Sequence, residues 1–64
     1  MDLYTYQAGL AVYQQDVPFY ALIQAAMRQA DTINEHKLRA AWPEIWNDLQ
    51  ARYNAPGGRL EHEQ

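Results

Sequence analysis

Pro18-Phe19-Tyr20-Ala21-Leu22-Ile23-Gln24-Ala25-Ala26-Met27-Arg28-Gln29-Ala30-Asp31-Thr32-Ile33-Asn34-Glu35 is the stretch that decides the fold class. Proline suits the first turn of a helix and the residue before it prefers extended geometry, so Asp16-Val17-Pro18 predicts a helix entry. Beyond it Phe19, Leu22, Ile23, Ala26, Met27 and Ala30 recur at helical spacing on one face, with Tyr20 on the shoulder. Ala21, Gln24, Ala25 and Arg28 take the other face. The alanines favour helix and let a neighbouring element approach closely. Thr32 followed three residues later by Glu35 is a capping-box pattern, with Asp31 as the alternative cap, so a further helix begins here.

Working outward towards the C-terminus, Leu38, Trp42, Ile45, Trp46, Leu49 and Tyr53 form one apolar stripe. Lys37, Ala40, Glu44, Asn47, Asp48 and Ala51 lie opposite. Glu35/Arg39 and Asp48/Arg52 are opposite charges four apart, each supporting a helix by about 0.2–0.5 kcal/mol. Pro43 interrupts the pattern, because proline removes a backbone donor and clashes with the preceding turn. A kink or break is expected near Ala41–Pro43, and the unbroken phase of the stripe favours a kink. After Ala55 the run Pro56-Gly57-Gly58 stops the helix, and the remainder predicts a flexible acidic tail over 56–64.

Towards the N-terminus, Leu3, Tyr6, Leu10 and Tyr13 are spaced three, four and three apart, a helical seam with Asp2 as cap. Tyr4, Tyr6, Val12 and Tyr13 are also strand formers, and Tyr6-Gln7-Ala8-Gly9 would serve as a hairpin turn. Ala8, Ala11 and three glutamines favour the helix over the hairpin. The fold expected is all-α: a bundle of two or three helices in one domain over 1–55, the second and third paired antiparallel.

Composition narrows function by exclusion. Sixty-four residues with no cysteine leave room for one domain, no disulfide framework and no thiolate chemistry. The longest apolar run falls far short of the ~20 residues that span a bilayer, and the first residues lack a signal-peptide pattern. A cytoplasmic protein is the expectation. There is no serine, so a Ser-His-Asp arrangement is impossible, and Gly57-Gly58 is followed by no Lys-Thr phosphate loop. His36 and His62 lie far apart in the chain and predict surface residues, not metal ligands; Glu61-His62-Glu63 would hold a divalent ion only weakly. Glu44 and Asp48 read as a solvated helix face, not as an acid–base pair. No enzyme, metal or cofactor is expected.

Eight acidic residues against five basic ones give a charge of −3, which argues against a phosphate-binding surface. Arg28, Lys37 and Arg39 near a helix–turn–helix outline keep a small DNA-binding or regulatory protein as the alternative. Five tyrosines, two tryptophans and one phenylalanine are the stronger signal. Phe19 and Trp42 are expected in the core, yet so thin a core does not cover every ring. The surplus predicts a homodimer and a partner surface of Tyr4, Trp46 and Tyr53, with Glu44 and Asp48 as a charged rim. Below roughly 70–80 residues a lone core seldom suffices, which favours self-association again.

The segments Pro18-Phe19-Tyr20-Ala21-Leu22-Ile23, Ala25-Ala26-Met27-Arg28, Lys37-Leu38-Arg39, Trp42-Pro43-Glu44 and Ala51-Arg52-Tyr53-Asn54-Ala55-Pro56-Gly57-Gly58 carry a resemblance. Over residues 18–58 the chain looks like short bacteriophage and prophage proteins without an assigned activity. The resemblance implies a phage or mobile-element setting inside a bacterial host cell. There, compact acidic proteins block host proteins, including CRISPR and other defence components, by steric occlusion. A non-catalytic inhibitor of a host protein is therefore the leading expectation.

Overall fold

The computed structural model describes residues 1–63 and is all-α, with four helices followed by two single 3-10 turns. Helix α1 spans Leu3–Gln14, α2 Phe19–Gln29, α3 Thr32–Ala41 and α4 Pro43–Tyr53. The helix expected at the N-terminus is present, and no hairpin forms. Asp2 caps it as its position predicts, its carboxylate accepting from the Thr5 N–H at 2.7 Å.

Prolines divide the chain for one shared reason. A residue that precedes proline is pushed out of the helical region by the proline ring. Trp42 accordingly sits at φ −133°, ψ 64°, and the kink or break expected near Pro43 falls here, between α3 and α4. Its N–H still donates to the Leu38 carbonyl at 2.8 Å, and its own carbonyl accepts from the Trp46 N–H at 3.1 Å. The interruption thus occupies a single residue. Pro43 then opens α4, where a missing N–H costs nothing. Pro18 does the same before α2, preceded by Asp16 in the left-handed region at φ +55°.

The cap of α3 differs from the capping-box expectation. Asp31, not Thr32, accepts from the N–H three residues on, that of Asn34, at 2.8 Å. Thr32 becomes the first helical residue, and Glu35 turns to Arg39 at 3.8 Å instead of back to the cap.

Helices α2, α3 and α4 pack on one another, with α2 and α3 as an antiparallel pair. Ala30 lies beside Asn34, Ala26 shares a groove with Leu38, and Phe19 reaches Trp42 at 6.3 Å between ring centroids. Met27 and Leu49 join α2 to α4 and are the only buried apolar residues among those described, at 4% and 6% exposure. Leu22, Ile23, Leu38, Trp42, Ile45 and Trp46 surround them, each half-buried. Most of both predicted stripes therefore faces the core, but Tyr53, at the end of the second, does not, and neither does Phe19, which is 57% exposed and rests on Tyr20 and Trp42.

What fails to cover Phe19 is α1, whose backbone among the described residues packs on none of α2, α3 or α4. It meets α2 only at its last turn, where Val12 and Tyr13 share a depression with Phe19 and Leu22. Leu3, Tyr4, Tyr6, Leu10, Val12 and Tyr13 are all exposed on it. The molecule is correspondingly drawn out, 42 × 27 × 16 Å, with a radius of gyration of 13.7 Å against about 11 Å for a compact chain of this length. It exposes 5455 Å², about 1,200 Å² more than a compact monomer of its mass.

The segment set apart after Ala55 forms two 3-10 turns, Pro56–Gly58 and Glu61–Glu63. Gly57 and Gly58, at φ +64° and +70°, supply the left-handed backbone that turns the chain after α4. Gln64 lies outside the described residues.

Candidate functional site

Among the depressions of the described surface, three are built by a pair of helix faces or by one helix alone. The first, about 480 Å³, lies along the α2–α3 pair over Ala26, Ala30, Asn34, Lys37, Leu38 and Trp42. The second, about 290 Å³, lies between α2 and α4 and is floored by Met27 and Leu49, with Arg28, Trp46, Gln50 and Tyr53 around it. The third, about 400 Å³, runs along α1 between Met1, Thr5, Tyr6, Gly9, Leu10 and Tyr13.

Two of the anticipated aromatic anchors meet in the second depression. Tyr53 is 75% exposed at the end of α4, about two turns beyond half-buried Trp46. Arg39 from α3 lies over the indole at 4.7 Å from its centroid, a cation–π contact that leaves one ring face covered. Tyr4 is elsewhere. It is 80% exposed on α1, which does not touch α4, so the three anchors do not form one patch.

The anticipated acidic rim divides as well. Glu44 is exposed in the first turn of α4 and makes no ion pair among the described residues. Asp48 accepts from the Arg52 Nε–H at 2.9 Å. The same guanidinium donates to both oxygens of Glu63, at 2.7 and 2.6 Å, and to the Gly58 carbonyl at 3.0 Å. Arg52 is thus a hub that ties the last turn of the chain to α4. A bidentate guanidinium–carboxylate contact of this kind is both strong and directional. Hydrogen bonding from Arg52 first, and then from the Leu60 N–H, holds the Glu63 carboxyl down at about 2, from its ordinary 4.5. Asp48 and Glu63 together raise the Arg52 guanidinium further above its already high value.

The basic residues are not gathered into a strip. Arg28 borders the α2–α4 depression, Lys37 borders the α2–α3 groove, and Arg39 is held by Glu35 and Trp46. His36 and His62 are both exposed, and among the described residues no three His, Asp or Glu side chains converge as metal ligands. Among them, too, no helix is long and apolar enough to cross a membrane.

Four features of these surfaces escape sequence reasoning. Met27 and Leu49 are visible in the stripes, but that they floor a shared depression depends on how α2 meets α4. Arg39 was marked as a surface ion-pair partner, and its seven-residue separation from Trp46 gives no hint of the cation–π contact. The Arg52–Glu63 contact spans eleven residues across the Gly57-Gly58 turn, with no local pattern to signal it. Gly9, which by sequence would also serve in a hairpin turn, lies inside α1 and lines its groove. No family model, curated protein or solved structure matches this chain.

Proposed function

We propose that this chain is a non-catalytic protein-interaction module that works as a homodimer and acts by covering a surface of another protein. The observation that supports this most is the uncovered apolar surface. Leu3, Tyr4, Tyr6, Leu10, Tyr13 and Phe19 are all exposed, on a chain whose total surface, polar and apolar together, exceeds that of a compact monomer by about 1,200 Å², against about 800 Å² per partner in a standard interface. Aromatic anchors over apolar floors, as at Tyr53 above Met27 and Leu49, are what interface hot spots consist of. In the phage setting that the sequence resemblance implies, the covered protein is a host component, such as a defence factor, and occlusion inhibits it.

The test pairs capture with retention. Tyr53→Ala should reduce capture of a host protein by roughly thirtyfold while helicity is kept. Glu44→Gln should change the association rate and its salt dependence more than the affinity. Wild-type protein that holds duplex DNA at physiological salt, and loses it when Arg28, Lys37 and Arg39 are all changed to glutamine, would overturn the proposal in favour of a DNA-binding regulator. Self-association is read separately: the thermal midpoint should rise with protein concentration. A monomer mass at tens of micromolar with a constant midpoint removes the dimer.

A further inference from the structure

We infer that α1 is the seam of the homodimer, packing antiparallel against α1 of a second copy with Leu10 of each helix seated over Gly9 of the other. The inference rests on the self-association proposed above and specifies its surface. A twelve-residue helix standing alone in water is marginal even with favourable sequence, because nucleation is costly and most helical stability in proteins comes from packing. Yet α1 packs on none of the other described helices. Its stability has to come from a face-to-face contact that this chain does not supply.

Charge selects a second copy as the occupant. A two-fold axis pairs the same patch of both copies and sets the residues nearest the axis against their own counterparts, so a self-pairing surface tolerates no unpaired charge at its centre. From Leu3 to Gln15 there is no charged residue at all, and Asp2 and Asp16 stand at the rim of the seam. The other two depressions fail this test, since one carries Arg28 and the other Lys37. The area agrees too. The whole chain exposes about 1,200 Å² more than a compact monomer, polar and apolar together, which is of the order of the ~800 Å² each partner gives to a stable interface.

Shape sets the register. Gly9 lies near the middle of α1, between Tyr6, Leu10 and Tyr13, and a Cβ built on it would meet nothing within 4 Å among the described residues. This is a notch open on its outer side. Laying two helices antiparallel with Leu10 over that notch brings Tyr6 of each beside Tyr13 of the other, which suits the offset ring packing aromatic pairs prefer. The seam ends at Tyr13, because the depression beyond it, where α1 joins α2 at Val12, Val17, Phe19 and Leu22, is lined by Asp16 as well.

Sedimentation equilibrium on the full chain tests the seam. Leu10→Asp places a carboxylate at its centre and should weaken association by roughly a hundredfold or more. Because the backbone of α1 packs on no other helix and Leu10 lies outside the α1–α2 junction, α2–α4 should keep their helicity and their tryptophan emission in that variant. Ala11→Glu, on the opposite face of α1, should leave the dimer intact. A dimer that survives Leu10→Asp, or is lost equally in Ala11→Glu, overturns the seam while self-association stands. A monomeric wild type overturns both. Orientation is read with a single introduced cysteine, since the chain has none of its own. Thr5→Cys lies about 13 Å along the axis from its counterpart in the antiparallel register and should not form an intersubunit disulfide. Efficient oxidative cross-linking of that variant would show a parallel seam instead.

Discussion

Leu49→Ala is the most severe test of where this small fold keeps its stability. Leu49 is 6% exposed and shares the α2–α4 contact with Met27 at 4%. Truncation to alanine removes three buried carbons, about 2.4 kcal/mol at ~0.8 kcal/mol per methylene. A cavity adds to this where neighbours cannot collapse, giving a usual range of about 2–5 kcal/mol. Half-buried Trp46 and Ile45 have room to relax, so about 2–3 kcal/mol is expected. A 64-residue chain holds in total only about 3–10 kcal/mol, so the variant should populate the unfolded state visibly. With a urea dependence of about 1 kcal/mol/M for so small a protein, the transition midpoint should fall by about 2 M or more. Leu38, only half-buried on α3, should cost about 1–2 kcal/mol on the same change. Ala51→Gln, on the exposed side of α4, should stay within about 0.5 kcal/mol. All variants must be compared by far-ultraviolet circular dichroism at one protein concentration, because the proposed dimerisation would add a concentration-dependent contribution. A Leu49→Ala cost below about 1 kcal/mol, or a larger cost at Leu38, would refute this placement of the core.

Asp31→Ala should cost about 1 kcal/mol and Thr32→Ala only a few tenths, since the aspartate is the cap in use; equal costs in urea melts would return the cap to Thr32. The Glu63 carboxyl should titrate near 2 when followed by carbon-13 NMR. Its folded value is depressed, so its contact with Arg52 stabilises the last turn fully above the ordinary 4.5 and is lost as pH falls towards 2. Glu63→Gln should abolish that dependence, and an unshifted titration near 4.5 would mean that Arg52 does not hold it. Because the pair is open to solvent, added salt should weaken it.

Much of the fold is legible in the chain because its signals are local. Asp2 caps α1, Pro18 opens α2, and the Leu38–Leu49 stripe faces inward, each by rules that operate within one or two turns. Where a rule competes with a neighbour, local reading loses. Thr32-Glu35 satisfies the capping-box pattern, but Asp31 stands one residue earlier and its carboxylate already reaches an orphan amide. Phe19 belongs to an inward stripe by periodicity and is exposed because the element that would cover it, α1, stands apart. The anchors Trp46 and Tyr53 were named from the sequence, and their common floor depends on the α2–α4 contact. Tyr4 could not be separated from them by periodicity, since spacing within one helix carries no information about its distance from another.

The connection between α1 and α2 governs how α1 is aimed. Gln15-Asp16-Val17-Pro18 contains no glycine, Asp16 is held at φ +55°, Val17 is restricted by the proline after it, and Pro18 has its φ fixed near −59°. Such a joint behaves as a strut and not as a tether. Two bodies coupled through their α1 arms would therefore present their α4 depressions at a set separation and angle. Against a target with repeated or two-fold related sites, the second attachment would become intramolecular, and residence time would lengthen without any new contact. Inserting glycines at Asp16-Val17 would loosen the strut, leave each single attachment unchanged and erase that gain in avidity.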